Sequence, residues 1–330
     1  MIDAYFGAGR VGLLTVKLFT ADKFNRMLES TNLADAIKVL YESNYGEGMV
    51  LASSEDFEKL LSQESQIACQ FLKELSSDEK ATDCFLMVFD YDNAKILAKS
   101  KYLRKDSLSL CYVNGLMDAK EMAQKIVNDD YEGFPVAMQE ALSKIDTEFF
   151  EGNRTGELVD LLLDKAMYKD VLSKLKKCKT KSVVQYFKCE IDTKNILTLL
   201  RTKRADLDEG KFAQMFLDGG NLKQEWFLEL LQHPVEKWEQ VCQFPQYKEL
   251  LLAGIDCLVQ GKSLYQCEQL AEKYKVAILV PNKDKLTIEP VICWYLSKMR
   301  EIDNVRMILV GISCGIEKTR ISERLKVLYV

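Results

Sequence analysis

The glycines near the start of the chain have the spacing of a phosphate-binding loop. Gly7, Gly9 and Gly12 match the pattern G-x-G-x-x-G. Glu29 follows about twenty residues later, where a dinucleotide-binding fold carries the acid that binds a ribose hydroxyl. This fingerprint requires a buried strand before the first glycine and a second strand after the helix. The preceding segment is short and partly polar, and Thr20 predicts the start of another helix, so dinucleotide binding is kept only as an alternative.

Other residue types that perform chemistry do not occur at catalytic or metal-binding spacings. The ten cysteines are scattered singly without a C-x-x-C pair, and the one histidine, His233, has no second ligand nearby. Most of the cysteines fall within apolar helical runs, which is typical of reduced thiols in the cytosol. There is no G-x-S-x-G and no Walker loop. We therefore predict no catalytic residue, no cofactor, no metal and no small-molecule substrate.

The last forty residues contain a polar cluster within an apolar helix. Pro290 suits the first turn of this helix and Gly311 its end, which predicts five or six turns between them. The helix is apolar almost all round and so belongs in an interior, where polar groups need partners. One interpretation is a satisfied polar network inside the core, and the other is a contact surface for a partner. The polar residues are Glu301, Asp303, Asn304 and Arg306.

The pattern of an acid three residues before an asparagine occurs three times, each time with an aliphatic residue after the asparagine. The three pairs are Asp90 and Asn93, Asp192 and Asn195, and Glu301 and Asn304. The asparagines lie about a hundred residues apart, which indicates an internal repeat. A chain of 330 residues accommodates three such repeats, and we predict helical domains at residues 1–110, 111–215 and 216–330.

The composition predicts an all-α protein without a membrane span. Charged residues make up 29% and hydrophobic residues 48%, and five prolines with 16 glycines are too few for a chain rich in strands or linkers. The net charge of -5 argues against broad nucleic-acid binding. No run of 18 apolar residues and no signal-like start is present. The basic stretch Lys174 to Lys181 is typical of a solvated face, with a binding patch as the alternative.

The C-terminal pattern resembles the C subunit of the archaeal and bacterial A/V-type ATPases, whose eukaryotic counterpart is the d subunit. The similarity extends along the chain through Arg10, the T-A-D-K-F segment at the second helix, and the stretch from Asp192 through Asn195 to Arg201. The C-terminal residues that carry it are Pro290, Tyr295, Glu301, Asn304, Val305, Arg306, Gly311 and the terminal Leu325 to Tyr329.

The resemblance implies three similar helical domains that form a funnel around a pseudo-threefold axis. It also implies a non-catalytic subunit that joins the soluble central stalk to the membrane proteolipid ring and transmits rotation between them. Such a chain is a monomer within a hetero-oligomeric complex, on the cytoplasmic side of the membrane. The alternative is a general helical-repeat adaptor, although solenoid repeats of about 34 to 47 residues are shorter than these. The expected structural or interface positions are Arg10, Asn93, Asn195, Glu301, Asn304 and Arg306.

Overall fold

The chain folds into α-helices, as the composition predicts. A computed structural model describes residues 4–326 and 328, apart from 104, 106, 153, 154, 179 and 242–244. Sixteen α-helices and no strands occur within these residues. The first eight helices are α1 (Ala4–Thr15), α2 (Ala21–Leu28), α3 (Leu33–Glu42), α4 (Phe57–Glu74), α5 (Glu79–Leu103), α6 (Ala119–Val127), α7 (Val136–Phe150) and α8 (Gly156–Leu175). The other eight are α9 (Lys181–Arg204), α10 (Glu209–Met215), α11 (Gln224–Leu231), α12 (Trp238–Val241), α13 (Lys248–Val259), α14 (Tyr265–Leu279), α15 (Glu289–Ser313) and α16 (Lys318–Ser322).

The helices belong to two compact units. The terminal unit combines residues 1–82 with residues 279–330, and the central unit comprises residues 83–278. The terminal unit therefore contains both ends of the chain, whereas the central unit is continuous. Domain boundaries near residues 110 and 215 stay a prediction. So does the funnel with its pseudo-threefold axis.

The core of the terminal unit joins the first sixty residues to the last forty. Buried aromatic and aliphatic side chains from α2 and α3, such as Phe24 and Leu40, pack in one cluster with Val305 and Leu309 of α15. Helix α15 also packs along α4 and α1. Hydrophobic burial of this kind is the main favourable term in folding, and here it depends on segments almost three hundred residues apart.

The core of the central unit surrounds α9. Its buried side chains come from α9 through α14 and include Phe212, Phe227, Trp238 and Tyr247. Helices α7 and α8 pack side by side as an antiparallel pair within the same unit. The long helices that carry Asn93 and Asn195, α5 and α9, have no single apolar face, because polar residues such as Asp90 and Asp192 are buried in them beside the apolar ones.

The predicted helix at the C-terminus is confirmed, but its predicted end is wrong. Pro290 lies in the first turn, as expected, and α15 continues beyond Gly311 to Ser313. Gly315, with φ of +64°, follows the helix and takes the left-handed conformation common after helix C-termini. Gly311 is buried, and a Cβ there would lie 2.4 Å from Cδ1 of Ile321. This glycine therefore allows α16 to approach α15 closely.

The glycines that resemble a nucleotide-binding loop lie inside a helix, so dinucleotide binding through them is wrong. Gly7, Gly9 and Gly12 all belong to α1, and no strand precedes or follows this helix within the described residues. Gly7 faces the interior, where a Cβ would lie 2.6 Å from the carbonyl oxygen of Leu75. Gly9 and Gly12 face open space.

Nine cysteines fall within the described residues, and none of them is paired in a disulfide. Six are buried, which agrees with the prediction that they act as small apolar side chains. Cys242 lies outside the described residues. No helix among the described residues has the length and apolar character needed to cross a bilayer.

Because Gly7 is closely packed and Gly12 faces open space, we expect alanine substitutions at these two positions to change stability in opposite directions. We expect Gly12→Ala to raise the free energy of unfolding by about 0.5–1 kcal/mol, because alanine restricts the unfolded chain and meets nothing in the folded one. Gly7→Ala should lower it by roughly 1–3 kcal/mol through overpacking against α4. Urea unfolding followed by circular dichroism measures both, and equal effects would contradict this packing of α1.

Candidate functional site with three acid and asparagine anchors

Each of the three predicted asparagines is buried and ties its long helix to a later segment of backbone. The side-chain amide donates one hydrogen bond to a backbone carbonyl and accepts one from the N–H of the same residue. Each side-chain amide thereby pairs with both the N–H and the carbonyl of one residue, as the backbone of a neighbouring β-strand would. The partners and the two N–O distances are Tyr112 for Asn93 (2.8 and 2.7 Å), Leu217 for Asn195 (2.8 and 2.9 Å), and Lys326 for Asn304 (2.9 and 2.7 Å).

The acid three residues earlier makes a second anchor on the same face of the helix. Asp90 accepts hydrogen bonds from the N–H groups of Leu116 and Met117 at 3.1 and 3.0 Å. A glycine precedes these donors, and a Cβ on Gly115 would lie 2.0 Å from a carboxylate oxygen of Asp90. The close approach of carboxylate and backbone therefore requires glycine at this position. Helix α6 begins two residues after the anchor, with Asp118 as its N-cap.

The anchor at Asp192 has the same design. Its carboxylate accepts from the N–H groups of Asn221 and Leu222, both at 2.9 Å, and from the hydroxyl of Tyr247 at 2.9 Å. A Cβ on Gly220 would lie 2.1 Å from this carboxylate. Helix α11 begins shortly after the anchor, so the order of long helix, anchored segment and short helix is repeated.

The third anchor is made with the opposite end of the chain. Glu301 accepts a hydrogen bond of 2.6 Å from the N–H of Phe19, which lies two residues before α2. In each case a short helix begins just after the segment that the acid holds: α2 at Glu301, α6 at Asp90 and α11 at Asp192. The segment held by Glu301 therefore comes from the N-terminal part of the chain, whereas Asn304 holds a segment that follows α15. The additional methylene of glutamate lengthens the reach to this separate segment.

A buried lysine balances part of the negative charge around Glu301. The ammonium of Lys298 lies 2.7 Å from Glu301 and 2.5 Å from Glu64, and it also lies over the ring of Tyr45. Glu64 accepts a further hydrogen bond from the N–H of Gly46 at 2.6 Å. Burial alone would lower the pKa of Lys298, but the two carboxylates outweigh it and raise this pKa. Burial raises the pKa of Glu301, although Lys298 opposes the shift.

Arg306 and Arg10 lie at the surface and are not part of the buried anchors. The guanidinium of Arg306, 38% exposed, contacts Glu58 at 3.0 Å and Asp303 at 3.3 Å. Such exposed pairs contribute little to stability, typically below about 1 kcal/mol. Arg10 is exposed on α1, with its guanidinium 5.8 Å from the centre of the Phe71 ring.

The polar cluster of α15 is therefore satisfied within the terminal unit, which supports the first of the two interpretations. Sequence reasoning missed Lys298 and the backbone of Phe19 as partners of Glu301, and Glu64 as the second partner of Lys298. Glu64 had a detectable signal, because it occupies the apolar stripe of α4 midway between Leu60 and Ala68. The N–H of Phe19 had none, since a backbone donor has no side-chain signature.

The arrangement can position segments of backbone, and its acids are engaged in that task. No group of three or more histidine, cysteine or acidic side chains within the described part of the chain could hold a metal ion. The N–H groups of Phe19, Leu217 and Leu222 make buried hydrogen bonds at these anchors, and each would cost about 1–3 kcal/mol without its acceptor.

We expect substitution of an anchoring asparagine to cost much more than substitution of an exposed one. Asn195→Leu and Asn304→Leu each leave one N–H and one carbonyl without a partner, which should lower the free energy of unfolding by roughly 2–5 kcal/mol. Asn25→Leu on the exposed face of α2 is the control and should change it by less than about 0.5 kcal/mol. Urea titration measures all three, and a neutral Asn195→Leu would rule out the anchor.

Removal of the buried lysine should produce a loss of stability that depends on pH. Lys298→Met leaves two buried carboxylates without their cation, which should cost about 3–5 kcal/mol at pH 7. The pKa of Glu301 is already raised, so the folded state binds more protons than the unfolded state as pH falls toward 4.5. Stability of the variant should therefore increase from pH 7 to pH 5, and by more than in the wild type.

The control for this experiment is Lys59→Met, which removes an exposed lysine from α4. It should change stability by less than about 0.5 kcal/mol at either pH. Urea unfolding at the two pH values measures the effects. A Lys298→Met variant that lost further stability on acidification would contradict the assignment of Glu301 as the buried, unbalanced carboxylate.

Comparison with known proteins finds relatives that match most of the chain. The chain is 25% identical to the A-type ATP synthase C subunit of Halorubrum lacusprofundi, over 73% of this chain and 72% of the relative. It is 23% identical to the A-type ATP synthase C subunit of Thermococcus gammatolerans, over 95% and 87%. It is 19% identical to the V-type sodium ATPase C subunit of Enterococcus hirae, over 95% of both chains. A family model described as ATP synthase (C/AC39) subunit matches residues 8–324, and the chain therefore belongs to this family of ATP synthase subunits.

Proposed function

We propose that this chain is a non-catalytic rotor subunit of an A/V-type ATPase, which links the soluble central stalk to the membrane proteolipid ring. Family membership supports this proposal, as do relatives named as subunits of A-type ATP synthases and of a V-type sodium ATPase. In this role the chain is a monomer within a hetero-oligomeric complex, held peripherally on the cytoplasmic side of the membrane. It transmits torque, and other subunits perform ATP chemistry and ion movement.

The observation that carries the proposal is the set of three anchors. Torque passes through a subunit only if its elements resist displacement relative to one another. Paired buried hydrogen bonds at Asn93, Asn195 and Asn304 hold each long helix to the segment that follows it. Close packing adds resistance, because protein interiors have low compressibility and transmit strain. In this proposal the buried acids and asparagines hold the backbone rigidly instead of taking part in a chemical step.

Helix α1 offers a surface for a partner. Tyr5, Phe6, Leu13 and Val16 project from this helix and its C-terminal end, and they are between 54% and 83% exposed. Contiguous apolar side chains on a surface commonly mark an interaction site. Among the described residues of α1 there is no acidic side chain, and Arg10 lies beside the apolar ones. This apolar surface of α1 is a candidate contact with another subunit of the complex.

Purification of the tagged chain from its own cells in mild detergent tests the proposal. Mass spectrometry should detect central-stalk subunits and a small proteolipid with the wild-type chain. Leu13→Glu should lose at least one of these subunits, because a carboxylate at the α1 surface opposes its burial against an apolar partner. Val259→Glu, at an exposed apolar residue of α13, should retain them all.

Two outcomes would contradict the proposal. The wild-type chain could be recovered alone, or it could be recovered only with soluble proteins unrelated to a rotary ATPase. Circular dichroism of the purified Leu13→Glu chain is needed beside the pull-down, since retained helicity separates the loss of a contact from the loss of the fold.

A further inference from the structure

A groove with a basic rim lies in the central unit. It is lined by residues of α7 and α8 together with residues 217–219, and it has a volume of about 470 Å³. Small and aliphatic side chains form its floor, among them Ala141, Leu162, Ala166 and Leu172. The rim carries the lysines at positions 144, 165, 169 and 176. One basic side chain of the Lys174 to Lys181 stretch, that of Lys176, thus lines a concave surface.

The rim has an excess of positive charge. Lys169 pairs with Glu140 at 2.6 Å, whereas Lys144, Lys165 and Lys176 form no ion pair within the described part of the chain. Asp218 is the second carboxylate at the groove. Four lysines against two acids leave a local charge of +2, although the whole chain carries -5. A positive groove on a negatively charged chain favours an acidic occupant.

The surroundings of Lys165 favour an anion beside it. Burial lowers the pKa of Lys165, and the like charge of Lys144 lowers it further, while Asp218 acts in the opposite direction. An additional carboxylate between the two lysines would relieve both unfavourable effects. Lys144 and Lys165 come from different helices, so one anion would be bound across the groove.

The row of lysines along α8 matches the length of a helix of about three turns. Lys165 lies on α8 and Lys176 is the C-cap of this helix, eleven positions later, which corresponds to roughly 16 Å along the helix axis. Lysines at positions 165, 169 and 176 recur at intervals of about one and two turns, as one face of a helix requires. An occupant of similar length with acids at helical spacing can pair with this row and place its apolar residues on the floor.

We propose that the groove between α7 and α8 binds an acidic amphipathic helix of a partner protein. Glutamates of that helix pair with Lys144, Lys165 and Lys176, and its aliphatic side chains cover the floor, in the manner of helix-in-groove recognition. A flat bilayer surface reaches the lysines but not the recessed floor. A nucleic-acid backbone is opposed by Glu140 and Asp218 at the same groove. This inference goes beyond the proposed function and does not depend on it.

The test uses the full-length chain and a fluorescein-labelled peptide of about sixteen residues, with a leucine stripe flanked by glutamates. Fluorescence anisotropy should show saturable binding at low salt that weakens as salt is raised. Lys165→Glu and Lys176→Glu should each weaken binding by about tenfold or more, since each replaces an attraction by a repulsion. Lys273→Glu, at an exposed lysine of α14 outside the groove, is the matched control and should bind like the wild type.

Two further probes separate the proposal from its rivals. A peptide of the same composition with its leucines dispersed should bind at least about tenfold more weakly, because it cannot cover the floor. Equal binding of the two peptides would overturn the proposal, as would the absence of any binding. Sedimentation with phosphatidylglycerol vesicles that depends on Lys165, without peptide binding, would assign the groove to anionic lipid instead. Hydrogen exchange on the peptide complex should show added protection confined to the central unit, including α7 and α8.

Discussion

The architecture depends on side-chain acceptors for backbone N–H groups that lie outside regular helices. A buried N–H without an acceptor costs about 1–3 kcal/mol, and in the described part of this chain the segments after the long helices have no neighbouring strand to supply one. The carboxylates of Asp90 and Asp192 accept two backbone hydrogen bonds each. The amides of Asn93 and Asn195 pair with both backbone polar groups of a residue four positions earlier in the same segment. Two side chains one helical turn apart thus fix the direction in which the chain leaves each long helix.

The same constraint explains why the two ends of the chain meet. The third long helix, α15, carries its acid and its asparagine, but only Asn304 finds its partner further along the chain, at Lys326. Glu301 takes the N–H of Phe19 instead. The acid of α15 therefore holds the segment before α2, whereas the acids of α5 and α9 hold segments that follow their own helices. Folding of the terminal unit consequently requires contacts between residues 282 positions apart, whose loop-closure entropy must be overcome before they add stability.

This closure relates stability to the proposed role. A subunit that transmits torque must not open at the junction of its first and last segments, and the junction here combines a shared hydrophobic core with the Glu64, Lys298 and Glu301 network. Removing one partner of a buried ion pair is costly because the other charge stays buried without a counter-ion or water to solvate it. Local opening of the terminal unit would therefore break the Glu64, Lys298 and Glu301 network and expose the hydrophobic core at the same time. The apolar surface of α1 and the basic groove between α7 and α8 lie outside this network, so partners can bind there without competing for the groups that close the terminal unit.

The amino-acid sequence by itself determined the helical class, the long helix with Pro290 in its first turn, and the three asparagines as buried polar positions. These follow from local periodicity, from proline geometry, and from the cost of placing an amide in an apolar stripe. The repeated spacing of acid and asparagine also indicated that the three positions share one role. The tertiary structure alone decided their partners, because backbone N–H groups such as that of Phe19 carry no residue-type signal. It also decided that Gly7, Gly9 and Gly12 form part of a helix, that Gly311 admits α16, and that Arg10 and Arg306 lie at the surface. Spacing along a chain defines which residues share a helix face, whereas the neighbour that covers this face depends on segments that can be hundreds of residues away.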